Sequence, residues 1–264
     1  MQIYLAVTPG EYQSAAKYSR LFAHVAYRIG PESQLLRQSL LLQTHGGLLT
    51  LGDRDAPPIS APEALCAGIL RECARRSYTG VLLDFEARPA ADRKVFAAML
   101  AQQLRKTRRT LYVPESCAVS GAVPLICTAL SGGSFPQRLQ EAARQFGGAE
   151  HLGLDVQRLR MDFTLPAKSG EGRPLSAEEF RALVEKESPA VFFSQELCAR
   201  YFTYMQDQET HFVLFDDAQT IAKKVEIARQ LSIPTILGAW SDLQDAVPAL
   251  GLSSSFPSRS QILR

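Results

Sequence analysis

The stretch YTGVLLDFE, residues 78–86, joins buried-strand chemistry to a pair of acids. Val81, Leu82 and Leu83 form an apolar run, and Asp84 and Glu86 follow with Phe85 between them. Successive side chains on a strand point to opposite faces, so residues 82, 84 and 86 share one face. A strand of this kind in a protein interior delivers two carboxylates in one direction at its C-terminal end. Ionised carboxylates facing an interior are costly unless they are paired, hydrogen-bonded or protonated. Read locally, Glu86 has an alternative role as the cap of the helix that follows.

On both sides of this strand, short apolar runs alternate with helical patterns, which argues for a parallel sheet or barrel. Strands are expected over Ile3–Thr8, Ala23–Ile29 and Gly47–Leu51, with YTGVLLDFE as the fourth. Thr110–Pro114 and Pro124–Leu130 make a fifth and sixth, Arg158–Pro166 a seventh, and Ile233–Trp240 an eighth. The seventh alternates polar and apolar residues more than a fully buried strand does. Helices are expected from near Ser60 and Pro62, a cap and first-turn pair, with Leu65, Ile69 and Cys73 inward. Others run from about Pro89 to Arg105 (burying Val95, Met99 and Leu104 or their neighbours), from Pro136 to Phe146, and from Asp217 to Gln230. A longer excursion between strands seven and eight holds a helix marked by the capping box Ser176-x-x-Glu179. Eight strands, most followed by a helix, predict an α/β fold, a (β/α)8 barrel occupying residues 1–264 as one domain. In such a barrel, chemistry sits where the strands end.

A net charge of +2, from 29 basic and 27 acidic residues, gives no reason to expect nucleic acid as a partner. The only dense basic run, Arg105–Arg109, reads as a helix C-terminus. No stretch approaches the ~18 apolar residues of a membrane span, so no membrane partner is expected. The opening residues lack the basic and apolar regions of an export signal. Five cysteines without C-x-x-C spacing read as reduced thiols, and four scattered histidines suggest no metal site; no cofactor is expected.

Two separated segments together resemble the family 18 glycoside hydrolases: GVLLDFE, and the C-terminal YFTYMQDQETHFVLFDDAQTIAKKVEIARQLSIPTILGAW. The likeness is greatest to the branch of spore-cortex-lytic and peptidoglycan-directed N-acetylglucosaminidases. It implies a protein acting on a glycan, an N-acetylglucosamine-containing polymer such as peptidoglycan or chitin. Glu86 then matches the general acid that protonates the glycosidic oxygen. Asp84 matches the acid that orients the substrate's acetamido group, whose own oxygen serves as nucleophile in this family, an exception to the two-carboxylate scheme. Trp240, the only tryptophan, matches the aromatic floor of a sugar subsite; read without the resemblance, it is a core tryptophan at a strand end. With no export signal, the expected location is cytoplasmic or spore-associated.

The chain departs from the family signature D-x-x-D-x-D-x-E at Thr79 and Leu82, which stand where acids are expected. The Tyr-Asp pair that holds the acetamido group on the sixth strand is replaced near Ala129 and Leu130. A degenerate member that binds glycan or a protein partner without turnover is therefore an alternative to the hydrolase. A third reading pairs Glu86 with Asp162 on strand seven as two enzymatic carboxylates. Asp162 and Tyr204 are further candidates for substrate contact, although aromatics in a long excursion also serve to pack it onto the barrel.

Overall fold

The computed structural model describes residues 1–38, 44–86, 91–166 and 172–252. Seven parallel strands come first: β1 (Gln2–Val7), β2 (Phe22–Ile29), β4 (Leu48–Gly52), β5 (Gly80–Asp84), β6 (Thr110–Pro114), β7 (Val123–Cys127) and β8 (Gly153–Val156). A short strand, β3 (Leu35–Arg37), folds back antiparallel on β2. The eighth barrel strand, Thr235–Ala239, pairs parallel with both β1 and β8, and β1 pairs with β2, so the sheet closes into a (β/α)8 barrel.

Helix α1 (Tyr12–Ala15) is a single turn. The longer helices α2 (Pro62–Arg76), α3 (Ala91–Lys106) and α4 (Phe135–Gln145) cover the outside. Pro62 occupies the first turn of α2, where its missing N–H costs nothing. The expected cap Ser60 instead donates to or accepts from Ser33 Oγ at 3.2 Å, and Ala61 takes the cap position without a side-chain bond. Leu65, Ile69, Cys66 and Cys73 are all buried in the layer between α2 and the strands. On α3 the expected Leu104 is inward, and the neighbours Phe96 and Leu100 take the buried places beside Val95 and Met99. Val95 is 58% exposed, while Phe96, Leu100 and Leu104 are buried. Its expected start at Pro89 lies outside the described residues.

The expected seventh strand is also corrected. The barrel strand is β8, and Arg160–Leu165 is β9 of a separate five-stranded antiparallel sheet inserted after it. That sheet comprises β9, β10 (Arg173–Pro174), β11 (Phe192–Ser194), β12 (Ala199–Gln206) and β13 (Glu209–Phe215). Its alternation is that of a sheet with unequal faces. One face carries Phe202, Tyr204, Val213 and Phe215 against Phe180, Leu183 and Val184 of α5 (Ala177–Glu187). The capping box that starts α5 is complete, with Ser176 Oγ accepting from the Glu179 amide at 3.1 Å and Glu179 accepting from the Ser176 amide at 2.7 Å. Ser176→Ala is expected to cost about 1 kcal/mol, read as a lowered urea midpoint. Helix α6 (Ala218–Gln230), capped by Asp217, then leads into the closing strand β14 (Thr235–Ala239) and the short α7 (Trp240–Leu243).

Inside the barrel, Tyr4, Ala23, Leu48, Leu82, Tyr112, Leu125 and Leu237 form one apolar layer. This plug closes the lower barrel and leaves the C-terminal mouth open. Among the described residues, no helix is long and apolar enough to cross a membrane.

Candidate active site

Phe85 explains why two acids emerge together. Its ring is buried between β5 and α3, 6.4 Å from the ring of Phe96, with the Arg93 guanidinium 5.8 Å from its centroid. Anchoring residue 85 outward turns residues 84 and 86 to the opposite side. There they border an open cavity of ≈ 640 Å³ at the barrel mouth, with Thr50, Leu82, Asp155 and Asp242 also in its wall. That volume is in the range of small-ligand sites.

A buried network fixes the backbone of Glu86. Asp53, at the end of β4, accepts from the Glu86 amide through Oδ1 at 3.0 Å and from Arg93 Nε through Oδ2 at 3.3 Å. Arg93 also donates to the carbonyls of Pro57 (3.1 Å) and Ala56 (3.3 Å) and to Asp92 (2.7 Å). The loop after β4, the first turn of α3 and the end of β5 are thereby held as one piece. This accounts for a buried arginine on α3 that the apolar pattern could not place.

The Glu86 carboxylate itself is more exposed. Arg54 grips both of its oxygens, Nη2 to Oε1 at 2.7 Å and Nε to Oε2 at 3.2 Å, with the two side chains 74% and 53% exposed. To offer an oxygen to a substrate, Glu86 must part from Arg54. Asp84 lies deeper. Burial, then the charges of Glu86 and Asp53, hold its carboxyl above the usual range, with Arg54 opposing.

The other expected site residues lie elsewhere. Trp240 opens α7, and its indole is 6% exposed, stacked on Tyr18 with ring centres 5.6 Å apart in the apolar cluster that includes Ile3 and Leu5. Its neighbours Ala239, Ser241 and Asp242 border the cavity, and Trp240 turns away from it. Asp162 and Tyr204 form a cluster inside the inserted sheet. Tyr204 donates to Asp162 Oδ2 at 2.9 Å, His211 Nδ1 lies 3.0 Å from Oδ1, and the Tyr204 and His211 rings stack at 4.7 Å. Burial, then Asp162, pushes the Tyr204 hydroxyl up to about 12. Neither residue borders the cavity that holds Glu86. The pairing of Glu86 with Asp162 across two barrel strands is therefore corrected, because Asp162 is not on a barrel strand. Glu115 is ion-paired with Arg138 beside β6. Asp216, just ahead of α6, forms a buried pair with Lys224, and Asp217 caps α6.

Asp155 was not singled out by sequence reasoning. It ends the true seventh strand and borders the same cavity as Asp84 and Glu86. Burial, followed by the charges of Asp84 and Asp242, raises its carboxyl to about 6 against the bond from Gln157. The signal was present in HLGLDVQ, residues 151–157, a short apolar run ending in an acid just as GVLLDFE does. Among the described residues, no group of three or more His, Cys, Asp or Glu is placed to hold a metal ion.

No family model and no curated protein matches the chain in sequence. Solved structures do match in fold. A chitinase from Chromobacterium violaceum ATCC 12472 superposes with a TM-score of 0.72 at 15% identity, over 95% of this chain and 98% of that one. The spore cortex-lytic enzyme SleL of Bacillus megaterium QM B1551 gives 0.64 at 16% identity, over 96% of this chain and 74% of its own. A mutant class V chitinase from Nicotiana tobaccum, solved in complex with NAG4, gives 0.61 at 11% identity, over 95% and 99%. The chain thus has the barrel fold of chitinases and spore cortex-lytic enzymes.

Proposed function

We propose that this chain is a glycoside hydrolase of the family 18 type, acting on an N-acetylglucosamine-containing polysaccharide, peptidoglycan or chitin. The observation that carries this reading is the convergence of Asp84 and Glu86, at the end of barrel strand four, on one open cavity. The fold neighbours support it, one of them having been solved with an N-acetylated tetrasaccharide. In the proposed reaction Glu86 gives its proton to the glycosidic oxygen as that bond breaks. The acetamido carbonyl oxygen of the same sugar bonds to the anomeric carbon, forming an oxazolinium ion. Asp84 faces the acetamido nitrogen and offsets its positive charge. Water, deprotonated by Glu86, then opens the ring, returning the proton to Glu86 and retaining the anomeric configuration.

The test is release of new reducing ends from chitin oligosaccharides and from purified peptidoglycan by the folded protein. Release from either supports a hydrolase. No release from any of them removes it.

One arrangement favours a second reading, a glycan-binding protein without turnover. Arg54 occupies both oxygens of the proposed acid, and Leu82 packs in the apolar barrel layer where the family carries an acid. Calorimetric binding of tetra-N-acetylchitotetraose, with no product formed over the same period, is the result expected of that reading.

A further inference from the structure

We infer that Asp155 is a substrate-contacting residue of the barrel mouth, donating a hydrogen bond to the acetamido carbonyl oxygen of a bound sugar. This rests on reading the cavity as a site for N-acetylated glycan. It supplies a partner for that oxygen, since among the described residues no tyrosine borders the cavity.

Asp155 points into the barrel because its neighbours Leu154 and Val156 are buried on the outer side of the strand, among the helices. It sits on β8 in register with Cys127 of β7 and Leu237 of β14. Gln157 Nε2 donates to its Oδ2 at 2.6 Å, and Asp155 borders the cavity. The charges that bear on it are acidic, Asp84 on β5 and Asp242 on α7, with Glu86 and Glu11 further around the wall. Beside Cys127 on β7, the cation from α6, Lys224, is neutralised by its pair with Asp216. The nearest arginine in sequence, Arg158, is committed to Asp245 and to the carbonyl of Asp242. A neutral carboxyl is the form that such surroundings favour, and a neutral carboxyl has a proton to donate.

A second observation points to a ligand in the same place. Thr50 is 1% exposed and borders the cavity, and among the described residues its hydroxyl has no hydrogen-bond partner. A buried hydroxyl left unpaired is costly, and a polar substrate group in the cavity would satisfy it. Asp84, Asp155 and Thr50 thus offer an acceptor, a donor and an adaptable hydroxyl around one opening. An acetamido group needs this combination, an acceptor for its N–H and donors for its carbonyl.

Calorimetry with tetra-N-acetylchitotetraose, and with cellotetraose as the neutral control lacking acetamido groups, tests the assignment. Parent affinity for the acetylated tetramer should fall by roughly tenfold as pH rises through the Asp155 titration at about 6. Asp155→Asn keeps a donor and cannot titrate, so it should retain the low-pH affinity with that slope largely gone. Asp155→Ala should bind about tenfold more weakly at low pH. Thr50→Val should weaken binding while leaving the pH slope in place, and it serves should the Asp155 variants fail to fold by thermal unfolding. Affinity of Asp155→Ala equal to the parent's, or an unchanged pH slope in Asp155→Asn, overturns the inference alone. For Thr50→Val, a lost slope overturns it too. Absence of any parent binding to the acetylated tetramer removes the glycan reading of the cavity and this inference with it.

Discussion

Replacing Lys224 by methionine is expected to destabilise the protein by about 3–5 kcal/mol. Lys224 and Asp216 are both fully buried, with Nζ 2.8 Å from each carboxylate oxygen. The third Nζ bond runs to the carbonyl of Thr128 at 3.0 Å, just past β7. Asp216 in turn accepts from Thr220 Oγ1 at 2.8 Å and from the Leu159 amide at 3.1 Å. A buried pair is held in place less by its own attraction than by the cost of leaving either charge alone. Methionine keeps the apolar stem and leaves the carboxylate without its counter-charge, while the Thr128 carbonyl keeps the Leu130 amide as a donor at 3.0 Å. The thermal midpoint should drop by roughly 6–20 °C. Adding Asp216→Asn to Lys224→Met should recover much of the loss, because the amide needs no counter-charge, its oxygen still accepts from the Leu159 amide, and its NH2, standing where Oδ1 was, donates to the Thr220 hydroxyl. A single variant losing less than about 1 kcal/mol would show that the carboxylate is relieved elsewhere.

The location of that pair matters for the site. Thr128 Oγ1 and the Gln157 backbone exchange two bonds of 3.1 Å just past the paired strands β7 and β8, and Gln157 orients Asp155. Asp216 thus belongs to the frame behind the cavity. Asp216 and Asp217 are adjacent acids ahead of a helix, and one dimension of sequence does not distinguish the one that caps from the one that is buried. The barrel itself was legible, because strand and helix periods differ and each buried strand is a short apolar run. The miss at β8 has a physical cause. Its four residues begin with a glycine, and the alternating β9 directly behind it is longer and more strand-like by composition. Trp240 shows a different limit. Strand alternation predicts a direction only while the strand continues, and α7 begins at that residue. On α3, the apolar pattern gives no sign that Arg93 is buried, because its bond to Asp53 reaches a partner 40 positions away.

Glu86→Gln is expected to cut turnover of an N-acetylated oligosaccharide by about 10²–10⁴-fold in kcat, the range supplied by a positioned general acid. The amide preserves shape and has no proton to give the leaving oxygen. Affinity for tetra-N-acetylchitotetraose should stay within roughly threefold of the parent, since the lost interaction forms only in the transition state. Arg54→Ala makes the companion measurement. The Arg54–Glu86 pair is exposed, and exposed pairs gain little because water and salt screen them. Freeing Glu86 from Arg54 should therefore change kcat by less than about tenfold. The two magnitudes separate the competing readings. If the parent turns over and only Glu86→Gln abolishes it, Glu86 is the acid and Arg54 is a loose partner that substrate displaces. If both parent and Arg54→Ala bind glycan without turnover, Arg54 is not what silences the site. The deficit then lies in the barrel interior, where Leu82 beside Asp84 contributes to packing and offers no proton. Parental turnover in Glu86→Gln would place the acid elsewhere in the cavity, and Asp155, with a carboxyl raised to about 6, would be the group to replace next.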